Sequence, residues 1–139
     1  MKAICKGLIV SALITCSAAH AADLTVNLSN IDNTRGTLHI GVADSQQAWE
    51  GKSDFAAAAS RKPSGSEEAV SFTDLAPGIY AIKVMHDEND NGRLDVGPSG
   101  VPVEGYGFSN NPQVMREATF EEAAFEVGEN GAEISIRMR

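Results

Sequence analysis

The sequence predicts an all-β protein, an antiparallel β-sandwich of about seven strands interrupted by one long Gly/Pro-rich loop. Three observations carry this. Apolar residues recur at every second position in six segments. Turn residues separate those segments. Nowhere does a strand pattern alternate with a long helical one.

In chain order, Leu24, Val26 and Leu28 alternate with Thr25, Asn27 and Ser29. Leu38, Ile40 and Val42 alternate with His39, Gly41 and Ala43. Val70 and Phe72 flank Ser71. Tyr80, Ile82 and Val84 alternate with Ala81, Lys83 and Met85. Ala123, Phe125 and Val127 alternate with Ala124 and Glu126, and Ile134, Ile136 and Met138 with Ser135 and Arg137. Successive strand side chains point to opposite faces, so each segment offers one apolar face, and two packed sheets bury such faces. Breaks fall at Asn33 to Gly36, Pro77-Gly78, Asn91-Gly92 and Glu129 to Gly131.

Two regions depart from the pattern. Residues 45–62 hold Trp49, Phe55 and the run Ala56 to Ala59. Alanine favours a short helix or an irregular crossover here, with the two aromatics covering an end of the sandwich. Residues 95–118 hold Pro98, Pro102 and Pro112 among glycines. Long loops inside compact domains are usually functional or disordered, and Tyr106 and Phe108 predict that this one folds back onto the body.

The first residues read as an export signal. Lys2 and Lys6 precede an apolar run from Gly7 to about Ala18, and Ala19-His20-Ala21 has the small-x-small form of a cleavage site. The run falls short of the roughly 20 apolar residues that span a bilayer. Residues 1–21 are therefore expected to be a signal peptide, leaving 22–139 as a single domain. Leu13 to Cys16 loosely resembles a lipobox, with Thr15 a poor fit before the cysteine. Cys5 and Cys16 would leave with the signal, so the remainder would fold without disulfides.

The formal net charge is −8, and without Lys2 and Lys6 there are 9 basic residues against 19 acidic. That balance argues against nucleic acid and against anionic lipid. It suits a periplasmic or secreted protein that attracts cations and does not insert in a membrane.

The acidic stretch "HDENDNGRLD" from His86 to Asp95 is the leading candidate site. With Asp87 as position one of a calcium loop, Asn89 is three, Asn91 five, Gly92 six, Arg93 seven (through its carbonyl) and Asp95 nine. Position twelve is Pro98, not the usual acid. Glu104, or else Asp90, would have to complete the shell. Two asparagines in place of carboxylates imply weak binding of Ca2+, about 10⁻⁴ to 10⁻³ M. A solvated turn explains the same residues: Asn91-Gly92 favours a type I′ hairpin, and Asp87 and Asn89 form Asx-turns.

Catalysis finds less support. His86 and Asp87 are adjacent and would point to opposite faces of a strand, Ser109 lies in no nucleophile elbow, and the domain has no cysteine. His86 is expected to be partly buried and bonded to backbone. His39 and His86, without a thiolate, make a poor zinc set. In "EGYGFSNN", Tyr106, Phe108 and Asn110 form a possible contact patch for a protein or glycan. The alternative is that both aromatics anchor the loop while Asn110 caps a turn.

The stretches "LAPGIYAIKVMHDENDNGRLD" and "GVPVEGYGFSNN", with a trailing Phe120 to Phe125, resemble the bacterial exported proteins grouped as the DUF2141 family. The resemblance covers nearly all of residues 22–139. It implies one sandwich domain of the immunoglobulin or prealbumin kind and implies no reaction. The ending "ISIRMR" lacks the aromatic residue usual near the family's end. The expectation is thus a non-enzymatic module, calcium-stabilised, or else a metal-free accessory domain working through the 100–111 loop. A hydrolase stands third.

Overall fold

The computed structural model describes residues 21–139, so the expected signal peptide lies almost entirely outside the described residues. Eight strands form two sheets. Strands β1 (Ala22–Ser29), β4 (Glu67–Leu75) and β8 (Ala132–Arg137) make one, in the order β4-β1-β8. Strands β2 (Thr37–Ala43), β3 (Ala57–Arg61), β5 (Gly78–Asp87) and β6 (Tyr106–Phe108) run β3-β2-β5-β6 in the other, and β7 (Phe125–Val127) also pairs with β5. Two four-residue helices, α1 (Gln46–Trp49) and α2 (Phe120–Ala123), lie in the connections. None of the described helices is long and apolar enough to cross a membrane.

The alternation becomes burial as expected. Leu24, Val26 and Leu28 of β1 meet Leu38, Ile40 and Val42 of β2 and Tyr80, Ile82 and Val84 of β5 in one apolar cluster shared by both sheets. A second cluster lies on the opposite face of β5. There Ala81 and Ala43 pack with Trp49, Phe108, Ala118 and Ala123. The small side chains of Ala43 and Ala81 let the aromatics approach the sheet, and Trp49 Nε1 donates to the Ala118 carbonyl at 2.8 Å. The larger sheet is therefore covered on both faces at this end.

Four expectations need correction. The described residues hold eight strands where about seven were expected, because neither β3 nor β6 shows an apolar alternation. The sheets are not wholly antiparallel, since β1 and β8 pair in parallel from Leu24↔Ala132 to Ser29↔Arg137. A period of two is the same in either direction, and the intervening chain supplies the long connection a parallel pair requires. Ala57 to Ala59 are strand, not helix, because pairing with β2 from Val42↔Ala57 to Leu38↔Arg61 outweighs alanine's local preference. The one short helix of that region lies earlier, where Ser45 caps the Ala48 N–H at 3.2 Å. Lastly, the long loop is not wholly irregular, since Tyr106 to Phe108 return to the sheet beside Lys83 to Met85.

Ile82 is fully buried in the shared cluster. Ile82→Ala should cost about 2–5 kcal/mol, since it removes buried methyl groups and leaves a cavity between the sheets. A lowered urea midpoint with an unchanged slope would bear this out. A cost near zero would mean that the two sheets do not share a packed interior.

Candidate functional site

The acidic stretch begins where β5 ends. Asp87 is buried, and its carboxylate turns the chain: Oδ1 accepts the Asn91 N–H at 3.0 Å and Oδ2 the Gly92 N–H at 2.7 Å. Asn89 Oδ1 accepts the same Asn91 N–H at 3.1 Å, and Asn91 Oδ1 accepts the Arg93 N–H at 3.1 Å. These bonds wind the backbone so that the side chains meet. Both amide groups then reach Asp95, Asn89 Nδ2 at 2.5 Å and Asn91 Nδ2 at 2.9 Å from Oδ2. The Asn91 and Asn89 amides, with smaller help from Arg93, hold the Asp95 carboxyl below its ordinary pKa. A depressed acid contributes its stability above its unfolded pKa, so these contacts are in place at neutral pH.

Positive φ falls at Asp90 (56°) and Gly92 (81°), and not at Asn91. A type I′ turn needs positive φ at both Asn91 and Gly92. The hairpin expectation is therefore corrected: the Asp87 carboxylate captures both amides and winds a wider loop.

Glu104 closes this loop. Its Oε1 accepts the Glu88 N–H and its Oε2 the Asp95 N–H, each at 2.9 Å. The side chain is almost fully buried and joins the two ends of the loop. The turn before β2 braces the other side. Asn33 Nδ2 and the Arg35 guanidinium reach Glu88 Oε2 at 2.9 and 2.7 Å, and Thr37 Oγ1 donates to Asp90 at 2.7 Å. Gly36, with φ of 63°, passes so close to the Asp87 carbonyl that any Cβ there would strike it.

The side chains of Asn89 and Asn91 thus meet Asp95, while Asp87 and Glu104 join them through the backbone. Arg93 stands at the rim, its Nε 3.4 Å from Asp95. Among the described residues no three His, Cys, Asp or Glu side chains form a metal cluster. The loop's set is two carboxylates and two amides. His86 is buried, and its Nε2 meets the Arg35 carbonyl at 2.7 Å, so that nitrogen carries the proton. Ser109 is buried elsewhere, with Oγ accepting from the Ile82 N–H at 2.8 Å and donating to the Ala123 carbonyl at 2.5 Å. His86 and Ser109 share no contact. Asn110 turns back on the body, its amide 2.6 Å from the Ala124 carbonyl.

Beside the loop, the outer face of the larger sheet holds an open groove with a volume of about 560 Å³. Strand register makes its floor two rows: Ser60, His39, Met85 and Tyr106 in one, Ala58, Gly41, Lys83 and Phe108 in the other. The Phe55 ring lies on Gly41, where no side chain intervenes. Leu94, Gly100 and Pro102 form one wall, and Met115, fully exposed, stands at another. The cations at the groove are already engaged. Lys83 Nζ lies 2.6 Å from both Glu117 and the Trp49 carbonyl and 4.4 Å from the Trp49 ring centroid. Arg116 forks onto Glu122 at 2.8 Å through both terminal nitrogens, and with the Thr119 N–H it lowers the Glu122 carboxyl to about 2. That brace is complete above the ordinary range of a glutamate and is lost only as pH falls towards 2.

One arrangement on this floor leaves no trace in any local sequence pattern. His39 Nδ1 lies 2.9 Å from Ser60 Oγ, and its Nε2 lies 3.7 Å from Asp87 Oδ2. The 3.7 Å separation is too long for a hydrogen bond. His39 and Ser60 are 21 positions apart, and only the β2–β3 register brings them together.

Two sheets around a shared core, a wound acidic loop at the end of the central strand and an open groove beside it define this all-β protein. The chain belongs to the family described as "uncharacterized protein conserved in bacteria (DUF2141)", whose model matches residues 26–135. That span runs from β1 to β8 and contains both the loop and the groove. No curated protein and no solved structure matches the chain.

Glu104→Gln should loosen the loop by removing one charged acceptor from its two end amides. A cost of about 1–3 kcal/mol is expected for leaving a buried N–H without its partner. Hydrogen exchange should quicken at Glu88 and Asp95 and stay unchanged in β1. Unaltered exchange at both amides would sink the assignment of Glu104 as the closing residue.

Proposed function

We propose that this protein is an exported, non-enzymatic binding module of sandwich architecture, periplasmic or secreted. Its binding surface is the groove, and calcium supports its acidic loop. The observation that carries this reading is the shared wall. Leu94 lies within the segment that Asp87, Asn89, Asn91, Asp95 and Glu104 organise, and Gly100 and Pro102 lie between Asp95 and Glu104. Whatever orders the loop also shapes the groove.

The ion would be held by Asp87, Asn89, Asn91, the Arg93 carbonyl and Asp95. Asn89 Oδ1 and Asn91 Oδ1 each accept one backbone N–H and keep a second lone pair, which a small side-chain rotation would offer to the ion. Glu104, a sixth candidate from the sequence, suits the role of clamp better, because its two oxygens bridge the amides of Glu88 and Asp95 at opposite ends of the loop. Without metal the same groove would serve as the contact surface of the 100–111 region, through Tyr106 and Phe108 rather than Asn110. A protein or a glycan is the partner class.

Calcium should raise the melting temperature when titrated into chelator-treated protein. At ten times the dissociation constant the gain is about 1.4 kcal/mol, which is several degrees for a domain of this size. Asp87→Asn and Asp95→Asn should each abolish the shift. Neither heat in a calorimeter nor a melting shift at 10 mM calcium, roughly ten times the weakest expected constant, would remove calcium from the function.

A second reading, ester hydrolysis, has the 2.9 Å contact between His39 and Ser60 in its favour. In it Ser60 Oγ would attack a carbonyl carbon, His39 Nδ1 would take its proton and pass it to the leaving alkoxide, and water would release the acyl group. The two readings part on a fluorophosphonate probe. The binding module should remain unlabelled. Label on Ser60 that is lost in His39→Ala would establish the hydrolase instead.

A further inference from the structure

The larger sheet ends on β3, and among the described residues nothing pairs with the outer edge of that strand. Every second residue of an edge strand turns its N–H and C=O outward, ready for another strand. Exposed edges are usually guarded by charge. Edge strand β4 of the other sheet carries Glu67, Glu68 and Asp74. In contrast, β3 has no charge until its last residue: Ala57, Ala58, Ala59 and Ser60 precede Arg61. Ala57 and Ala59 pack on the core, while Ala58 and Ser60 line the groove and begin its two floor rows.

The open edge and the groove are therefore continuous. A strand laid beside β3 would lengthen both rows, placing alternate side chains in the groove about 4.8 Å from Ala58 and Ser60. The small side chains there leave it room. Charge distinguishes the guest. The chain is strongly acidic, yet Arg61 and Lys62 at the end of β3 form no ion pair among the described residues. Glu68 is bonded to Ser64 instead, which lowers its carboxyl pKa more than Arg61 does. A second copy suits this edge poorly. In a symmetric antiparallel pair centred on Ala59, Arg61 would meet Ala57 of the other copy and no acid, and in any register a second net charge of −8 would have to approach.

We propose that β3 is the docking edge for an extended segment of a partner protein. Its backbone would add a strand to the larger sheet, its alternate apolar side chains would enter the groove, and an acidic end would meet Arg61 and Lys62. This rests on the groove as the binding surface and supplies its occupant. Backbone pairing provides affinity in such complexes, and pockets for alternate side chains provide selectivity.

The test uses the protein without its signal segment, in calcium and in chelator. The probe is a ten-residue peptide of alternating valine and serine ending in two glutamates, with a twin ending in two lysines. Peptide binding should slow amide exchange in β3 at least tenfold and shift the resonances of Met85 and Tyr106. The lysine-ended twin should bind at least threefold more weakly. Ala58→Lys and Arg61→Glu, both on exposed positions, should weaken binding at least tenfold while the melting temperature stays within a few degrees. Protection on another edge, or none, overturns the proposal, as does equal binding of the twin. Protection of β3 that grows with protein concentration alone would make a second copy the occupant and also overturns it. The two ideas fail separately. Protected β3 without any calcium effect removes calcium only, whereas a calcium shift without protection of β3 removes the docking edge only.

Discussion

Strand β5 is the constraint on which the rest depends. Its residues Gly78 to Asp87 pair with β2 along one edge, while the other edge is shared by β7 near the start and β6 near the end. A strand buried on both faces must have its backbone groups paired, since an unmet N–H or C=O away from water is costly. Filling the second edge with two short strands dictates the path of the chain. Residues 88–105 must leave the end of β5 and come back to start β6 beside it. The acidic loop and the groove wall both arise from that excursion.

Four buried polar side chains control where the excursion goes: His86, Asp87, Glu104 and Ser109. Among the described residues no buried side-chain nitrogen or oxygen lacks a partner. Burying such groups without partners would cost several kcal/mol in total. Satisfied, they act as fixed pins. His86 ties β5 to the turn before β2, and Ser109 ties β6 to β5 and α2. Asp87 and Glu104 wind the loop and close it. These pins join segments that the apolar alternation leaves unspecified, so the molecule has a defined loop end as well as a core.

Much of the fold was legible from local pattern. Six alternating segments correspond to β1, β2, β4, β5, β7 and β8, because burying one face leaves a trace at every second residue. The two missed strands left none. In β3 the alanines carry almost no contrast between faces, and β6 is three residues long within a proline- and glycine-rich stretch. The parallel pairing of β1 with β8 was equally hidden, since alternation has no direction. At the site, spacing placed Asp87, Asn89, Asn91 and Asp95 in one loop, and there the two amides do reach Asp95. Asn91-Gly92 misled, because a dipeptide preference could not anticipate a buried carboxylate four and five residues upstream.

By itself the sequence determined the faces of the strands and the acidic spacing of the loop. Those are properties of neighbours, and a local pattern records them. The tertiary structure alone decided that Glu104 bonds the loop's own amides, that Leu94 and Pro102 become a wall, and that His39 meets Ser60. It also decided that β3, among the described residues, ends a sheet with one edge open. Each of these depends on register between distant segments, where a shift of one residue reverses every side chain, and no single segment carries the information that sets it.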